Sequence, residues 1–312
     1  MSKKKWSPEE LEKLYALKLE GLKWKEILEH FPDSTENGLR KAFYNNMKSE
    51  APVKEKKAAK VLILDIETTP IVSFTWGLFD QNVALNQIIE DWSILSWAAK
   101  WMDSDKVFYS DTRKEKNPRN DKKLLKEIWN LIDEADIVVG QNSTSFDVKK
   151  LNARFILNGM KPPSSFRQID TMRVAKSKFK FTSNKLEYMS KNLCEEHVKL
   201  TERKFNGFDL WKACLNKNQE AFRELEAYNV EDVLATEELL KTLMPWDKSI
   251  NFNVYHDEHT NSCTCGNDKF KKKGFVYSNL AKYERFICTK CGKEHVSREN
   301  LLTKEKRKSL RK

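Results

Sequence analysis

The segment Val61-Leu-Ile-Leu-Asp65-Ile-Glu67 leaves this chain the fewest choices. Its run of bulky apolar residues, bounded by a polar stretch on the N-terminal side, predicts a strand inside a sheet. Side chains alternate along a strand, so Asp65 and Glu67 share one face while Leu64 and Ile66 take the other. Two neighbouring carboxylates on one strand face are costly unless a cation neutralises them. Oxygen donors of this kind suit Mg²⁺ or Mn²⁺, which rely on few protein carboxylates and keep several waters. A solvated strand terminus would produce the same short pattern, so the pair alone does not define a site.

Further strands are expected at Ile94–Trp101 and Val107–Ser110, followed by a helix at Asp121–Asp133, a short strand at Ile137–Gly140, a helix at Phe146–Asn158 and a long helix at Gln219–Leu243. Strands first, then strand and helix in alternation, give a mixed α/β layer fold. Two more acids fall at informative places. Asp147 opens the helix after Gly140-Gln141-Asn142, near the carboxyl end of a strand, where α/β sites gather. Tyr228 and Asp232 lie four apart on the long helix and so share one of its faces. Each also has a plain structural explanation: a carboxylate favoured at a helix start, and a half-buried helix face.

Taken together, Asp65-Ile66-Glu67-Thr68, Asn142-x-x-x-Phe146-Asp147 and Tyr228-x-x-x-Asp232 resemble the three motifs of the DEDD (DnaQ-like) 3'-5' exonucleases, in the tyrosine-bearing DEDDy branch. Proofreading domains of family B DNA polymerases carry the same patterns, as do exonucleases of phages and bacteria. The resemblance spans residues 61–246 and implies a ribonuclease H-like mixed sheet flanked by helices. It also implies two Mg²⁺ or Mn²⁺ ions held by Asp65, Glu67, Asp147 and Asp232, a water oriented by Tyr228, and contacts from Thr68, Asn142 and Phe146 to the terminal nucleotides. Paired metals serve phosphodiester hydrolysis by supplying the nucleophile and relieving charge on the leaving oxygen.

Residues 1–47 read as a small three-helix domain. Ser7-Pro8-Glu9-Glu10 is a helix start with a capping box. Gly21 ends that helix, Trp24, Ile27, Leu28 and Phe31 mark a second, and Asp33-Ser34-Thr35-Glu36 opens a third. The spacing of Trp6, Trp24 and Phe43 resembles the aromatic triad of Myb/SANT-like helix-turn-helix repeats, with Phe at the third position. The resemblance implies a third helix facing DNA through Asn37, Arg40, Lys41 and Asn45; a protein-interaction module with the same aromatic core is the alternative. Residues 48–60 are charged and small, and read as a linker.

After the α/β domain in the chain, Cys263-Thr-Cys265-Gly266 and Cys288-Thr-Lys-Cys291-Gly292 flank expected strands at Gly274–Tyr277 and Tyr283–Ile287. Two such turns joined by a hairpin match a structural four-cysteine zinc site, with a glycine relieving each tight turn. Residues 247–303 thus look like a zinc ribbon. One residue rather than two separates the first cysteine pair, which leaves room for His256 or His259 as a substitute ligand. Lys271, Lys272, Lys273, Lys282, Arg285 and Lys290, with Phe275, Tyr277, Tyr283 and Phe286, suit backbone contact and base stacking, although a small ribbon also needs aromatics for its core. Cys194 and Cys214 read as buried small apolar residues. The basic tail, residues 304–312, is expected to stay mobile without a polyanion.

The charge map fits this division. Formal charge is +11, distributed as +4 over residues 1–60, −1 over 61–246 and +8 over 247–312. A nucleic-acid partner follows from the basic ends. No apolar run approaches the ~18 residues needed to span a bilayer, and no export signal precedes the cysteines, so the expectation is a cytoplasmic protein without membrane association, in the host cytoplasm if phage-encoded. The expected activity is metal-dependent 3'-5' exonucleolytic hydrolysis, of DNA in preference, in replication, proofreading or repair, with a DNA polymerase or other replication protein as a partner. An exoribonuclease, or a non-catalytic nucleic-acid-binding protein, is the alternative.

Overall fold

The computed structural model describes residues 6–19, 22–46, 59–200, 204–255 and 262–311. Gly21, residues 48–58 of the expected linker, and His256 and His259 lie outside them. The chain divides into two compact units, Met1–Lys56 and Lys57–Lys312. Among the described residues no helix is long and apolar enough to cross a membrane.

The first unit holds helices α1 (Pro8–Leu19), α2 (Trp24–Glu29) and α3 (Glu36–Asn46). The capping box forms: the Ser7 N–H donates to Glu10 Oε2 at 2.9 Å, and the Glu10 N–H donates to Ser7 Oγ at 3.2 Å. Thr35 caps α3 by accepting from the Gly38 N–H at 3.1 Å. Leu14, Ile27 and Leu39 are fully buried beside Phe31, Ala42 and Phe43. The aromatic triad belongs to this core, with Trp24 edge-on to Phe43 at 5.4 Å and Trp6 edge-on to Phe31 at 5.8 Å. Asn37, Arg40 and Lys41 are exposed on α3, and Arg40 pairs with Glu36 one turn earlier at 2.5 Å.

In the second unit a five-stranded sheet runs in the order β5-β4-β1-β6-β7, from β1 (Val61–Thr68), β4 (Ile94–Trp101), β5 (Val107–Asp111), β6 (Ile137–Gly140) and β7 (Arg167–Asp170). β4 and β5 are antiparallel additions, whereas β1, β6 and β7 run parallel. The even residues of β1, Leu62, Leu64 and Ile66, pack against α4 (Lys122–Glu134) and α5 (Asp147–Leu157). Val61 and Ile63 face the other way, toward α6 (Thr171–Lys178), α7 (Leu186–Leu193) and the long α9 (Gln219–Leu243). Between α7 and α9, the short α8 (Asp209–Leu215) packs on α9, and Cys214 is buried there while Cys194 is half-buried.

Several short elements depart from expectation: β7, α6, α7 and α8 are additional, and two more departures shape the surface. After Thr68 the chain leaves the sheet through the paired β2 (Val72–Ser73) and β3 (Ile88–Glu90), whose connecting excursion exposes Phe74, Leu78, Phe79 and Leu85 and leaves Trp76 98% exposed. Arg119 clips its two ends, donating to Thr69 Oγ1 at 3.0 Å and to the Pro70 and Asp91 carbonyls at 2.9 Å. The tail is the second departure: Lys304–Ser309 forms a helix, α10, because Thr303 caps it by accepting from the Lys306 N–H at 3.2 Å.

Gly140 ends β6 where the backbone turns toward α5. A Cβ there would lie 2.7 Å from Ser143 Cβ and 3.0 Å from the Leu64 carbonyl. Gly140→Ala should therefore destabilise the domain by about 1–3 kcal/mol, the usual cost of overpacking. An unchanged denaturation midpoint would show that the turn relaxes freely.

The C-terminal part is a three-stranded sheet, β10-β9-β8, from β8 (Phe270–Ser278), β9 (Ala281–Cys288) and β10 (Glu294–Val296). Its strands are longer than the sequence indicated, and β10 is additional. Ile250 and Phe252 are buried in the main core just before it, and Lys248 pairs with Glu294 at 2.5 Å.

Candidate active site

Alternation along β1 puts Asp65 and Glu67 on the face turned toward α9, beyond Ile63 and near the strand end. β6 pairs with β1 only as far as Ile63, and the Ile66 N–H donates instead to Asp147 Oδ1 at 3.1 Å. That bond draws the first residue of α5 against the strand. From the opposite side α9 supplies Tyr228 and Asp232, both buried. Asp65, Glu67, Asn142, Phe146, Asp147, Tyr228 and Asp232 all line one cavity of about 190 Å³, with Gln141, Leu186 and Lys199. Thr68 is half-buried at the end of β1 and is not part of the lining. Asn37, Arg40 and Lys41 belong to the first unit.

Four supporting residues were not anticipated. Asn229, fully buried beside Tyr228, donates through Nδ2 to Asp65 Oδ2 at 2.6 Å and accepts from Ser96 Oγ at 3.0 Å. Trp211 Nε1 donates to Glu67 Oε2 at 3.1 Å. Lys199 Nζ pairs with Asp232 Oδ2 and lies 4.4 Å from the centre of the Tyr228 ring. Asp170, buried at the end of β7, accepts from the N–H groups of Asn142 and Thr144 at 3.0 and 3.1 Å, and from those of Met172 and Arg173 at the start of α6. It thereby ties down the turn that delivers Phe146 and Asp147, in which Asn142 adopts φ +64°. Asparagine is among the few residues other than glycine that tolerate this left-handed conformation. Asn229 was visible in principle, three residues from Asp232 on the same helix. Lys199 and Trp211 carry no local signal.

The electrostatics follow from crowding. Burial raises Asp65 well above the ordinary carboxylate range, reinforced by Asp147, Asp232 and Glu67 and opposed by Lys199. Burial and Asp232 push Glu67 up to about 7, against Lys199 and the Trp211 hydrogen bond. Burial also takes Asp147 to about 7, despite the Ile66 N–H. Tyr228 is raised by burial and by Asp232 and Glu67. One ammonium among four carboxylates leaves a strongly negative, oxygen-only donor set, which fits hard divalent cations such as Mg²⁺ or Mn²⁺.

A pH dependence follows. These folded-state values lie above the unfolded ones near 4, so without cations the acids cost stability progressively as pH rises from about 4 to 7 and above. A bound cation removes that cost. Adding Mg²⁺ in place of chelator should therefore raise the melting temperature more at pH 8 than at pH 5.5. Equal increments at the two pH values in thermal melts would overturn the reading.

A second cluster forms from the cysteines. Cys263 and Cys291 Sγ lie 3.5 Å apart, Cys265 and Cys288 Sγ 3.6 Å apart, and all four sulfurs lie within 4.8 Å of one another. A tetrahedral zinc with bonds of about 2.3 Å spaces its sulfurs by roughly 3.8 Å. Gly266 and Gly292 have φ of +79° and +75° at the two turns, and their N–H groups return to the Cys263 and Cys288 carbonyls. His295 Nε2 lies 3.2 Å from Cys263 Sγ, and Asn267 Nδ2 donates to Cys288 Sγ at 3.2 Å. The cluster fits a zinc ribbon, and donors around ligating sulfurs are the usual support of such sites.

Comparison with known proteins places this architecture. No curated protein matches the chain. Among solved structures it is similar to the family B DNA polymerase from the hyperthermophilic archaeon Pyrobaculum calidifontis, at 16% identity and a TM-score of 0.43, over 60% of this chain and 25% of that one. The chain thus spans about a quarter of that polymerase's length. A family model for the RNase H superfamily matches residues 62–244, more than half of the chain and nearly all of the five-stranded domain. By that match the chain belongs to the RNase H superfamily.

Proposed function

We propose that the protein is a divalent-metal-dependent 3'-5' exonuclease of the DEDDy type, with DNA as its favoured substrate. The observation that carries this reading is the meeting of Asp65, Glu67, Asp147, Asp232 and Tyr228 in one small cavity, from three segments far apart in the chain. Two divalent ions held by the four acids would supply a water ionised near neutral pH and would neutralise charge on the leaving 3'-oxygen. Asn229 and Trp211 hold the Asp65 and Glu67 carboxylates in fixed orientations, so little reorganisation is needed on binding. The Tyr228 hydroxyl, with its proton retained by the raised pKa, orients the attacking water by hydrogen bonding. Phe146, 37% exposed at the cavity, offers a face to the terminal base, and Asn142 lines the same cavity; a contact from Thr68 rests on the motif resemblance alone. A cavity this small suits a strand end rather than an intact duplex.

The outer parts suit substrate retention. α3 exposes Asn37, Arg40 and Lys41 for a groove, in keeping with a Myb-like domain. The ribbon exposes Tyr277 and Lys271–Lys273, with Lys282 Nζ 3.9 Å over the Phe275 ring.

The direct test uses purified protein with Mg²⁺ or Mn²⁺ on DNA and RNA strands labelled at either end. Early release of the 3' label as mononucleotide, with a shortening ladder from the 5' label, is expected. Faster loss on RNA would reassign the substrate, and intact strands under all conditions would overturn the enzyme reading.

A further inference from the structure

The acidic cavity poses a problem for a polyanionic substrate, because a strand must bring its phosphates to four carboxylates. Net charge over residues 61–246 gives no help, at −1. One segment departs sharply from that balance. Residues 171–186 contain Arg173, Lys176, Lys178, Lys180 and Lys185 and no Asp or Glu, and all five bases are exposed. Lys178 pairs with Asp247 at 3.4 Å; Arg173, Lys176, Lys180 and Lys185 make no ion pair among the described residues.

The segment is fastened to the cavity at both ends. Thr171 Oγ1 donates to Gln141 Oε1, and Gln141 Nε2 donates to the Asn184 carbonyl at 2.8 Å. Gln141 and Leu186 are themselves cavity walls. Between these ties the lysines are set on a rigid base. Phe179 and Phe181 stack at 5.0 Å and pack on the main core, and Trp246 meets Phe179 edge-on at 5.3 Å while remaining 66% exposed. Like charges gathered on an ordered platform repel one another, and an anion relieves the repulsion. Backbone phosphates recur along a single strand and its bases present flat faces, so alternating cations and one exposed indole match that partner.

We propose that residues 173–185, with Trp246, form the track along which a single nucleic-acid strand leads into the acidic cavity. This rests on the exonuclease reading and names the catalytic domain, rather than the basic ends alone, as a carrier of backbone contacts.

The test is a salt titration of binding by fluorescence anisotropy, in chelator, with end-labelled oligothymidylate and oligouridylate 20-mers. The triple variant Lys176→Ala/Lys180→Ala/Lys185→Ala should lower the slope of log K against log salt by about 2, at roughly 0.7 per phosphate contact on single strands. The matching triple Lys→Arg variant should keep the wild-type slope. An unchanged slope in the alanine variant, or an equal loss in the arginine variant, overturns the track. Displacement of the strand by polyglutamate as readily as by unlabelled oligonucleotide also overturns it, in favour of an acidic protein partner. End-label hydrolysis by the wild type is measured alongside. Cleavage with an unchanged slope defeats the track alone, whereas a lowered slope without cleavage supports the track and defeats the exonuclease reading.

Discussion

Replacing Asp65 with alanine, or Asp232 with asparagine, should lower nucleotide release on the order of 10³-fold or more while the protein stays folded. Metal ions contribute several kcal/mol of charge stabilisation to such reactions, and each ~1.4 kcal/mol is a tenfold change in rate. Asp232 raises the proton affinity of both Asp65 and Glu67, and Asp65 is raised by Glu67 in turn, so removing one charge relieves repulsion at the remaining acids rather than opening a core. The melting temperature in chelator should accordingly hold or rise for Asp65→Ala, whereas Asp232→Asn also leaves Lys199 without its charged partner and should lower it. Activity within tenfold of wild type in both variants would refute the metal assignment. Tyr228→Phe should cost no more than about 10²- to 10⁴-fold, the range of acid-base groups, because only the orientation of the water is lost.

The second large effect is expected at the cysteines. Structural zinc supplies on the order of 10 kcal/mol of folding free energy to modules of this size, and β8 and β9 are mostly exposed or half-buried along their length. Cys288→Ser should therefore unfold the region between Cys263 and Val296, release the zinc and open that region to protease. The cavity at Asp65 belongs to the other sheet and should still hydrolyse a short oligonucleotide. Elemental analysis should find one zinc per wild-type chain. A value near zero would remove the ribbon reading, and a folded variant inactive on short strands would tie the cysteines to the chemistry.

What the sequence disclosed divides along a physical line. Alternation in Val61–Glu67 placed Asp65 and Glu67 on one face, because a strand's period is enforced by the backbone itself. Tyr228 and Asp232 were legible for the same reason on a helix, and Ser7 with Glu10 because a capping box is local. Asp170, Lys199 and Trp211 escaped notice: their partners Asn142, Asp232 and Glu67 lie 28, 33 and 144 positions away, and nothing in their own neighbourhoods signals the meeting. β7 is four residues with three polar members, and β10 is three residues long, too short for periodicity to speak. The charge balance of the α/β domain also misled, since a near-neutral sum concealed the basic stretch at 173–185.

The reach of α9 bears on when the protein becomes competent. Asn229 bonds to Asp65 across 164 positions of chain, and α9 is the last element of the five-stranded domain to be synthesised. Pairing at that separation carries a loop-closure cost that only the complete chain through α9 can meet. A nascent chain can complete β1 through β7 and still lack Asp232, so a chain that ends short of α9 has only part of the cavity. The order of translation thus makes α9, with Tyr228 and Asp232, the last wall of the cavity to arrive.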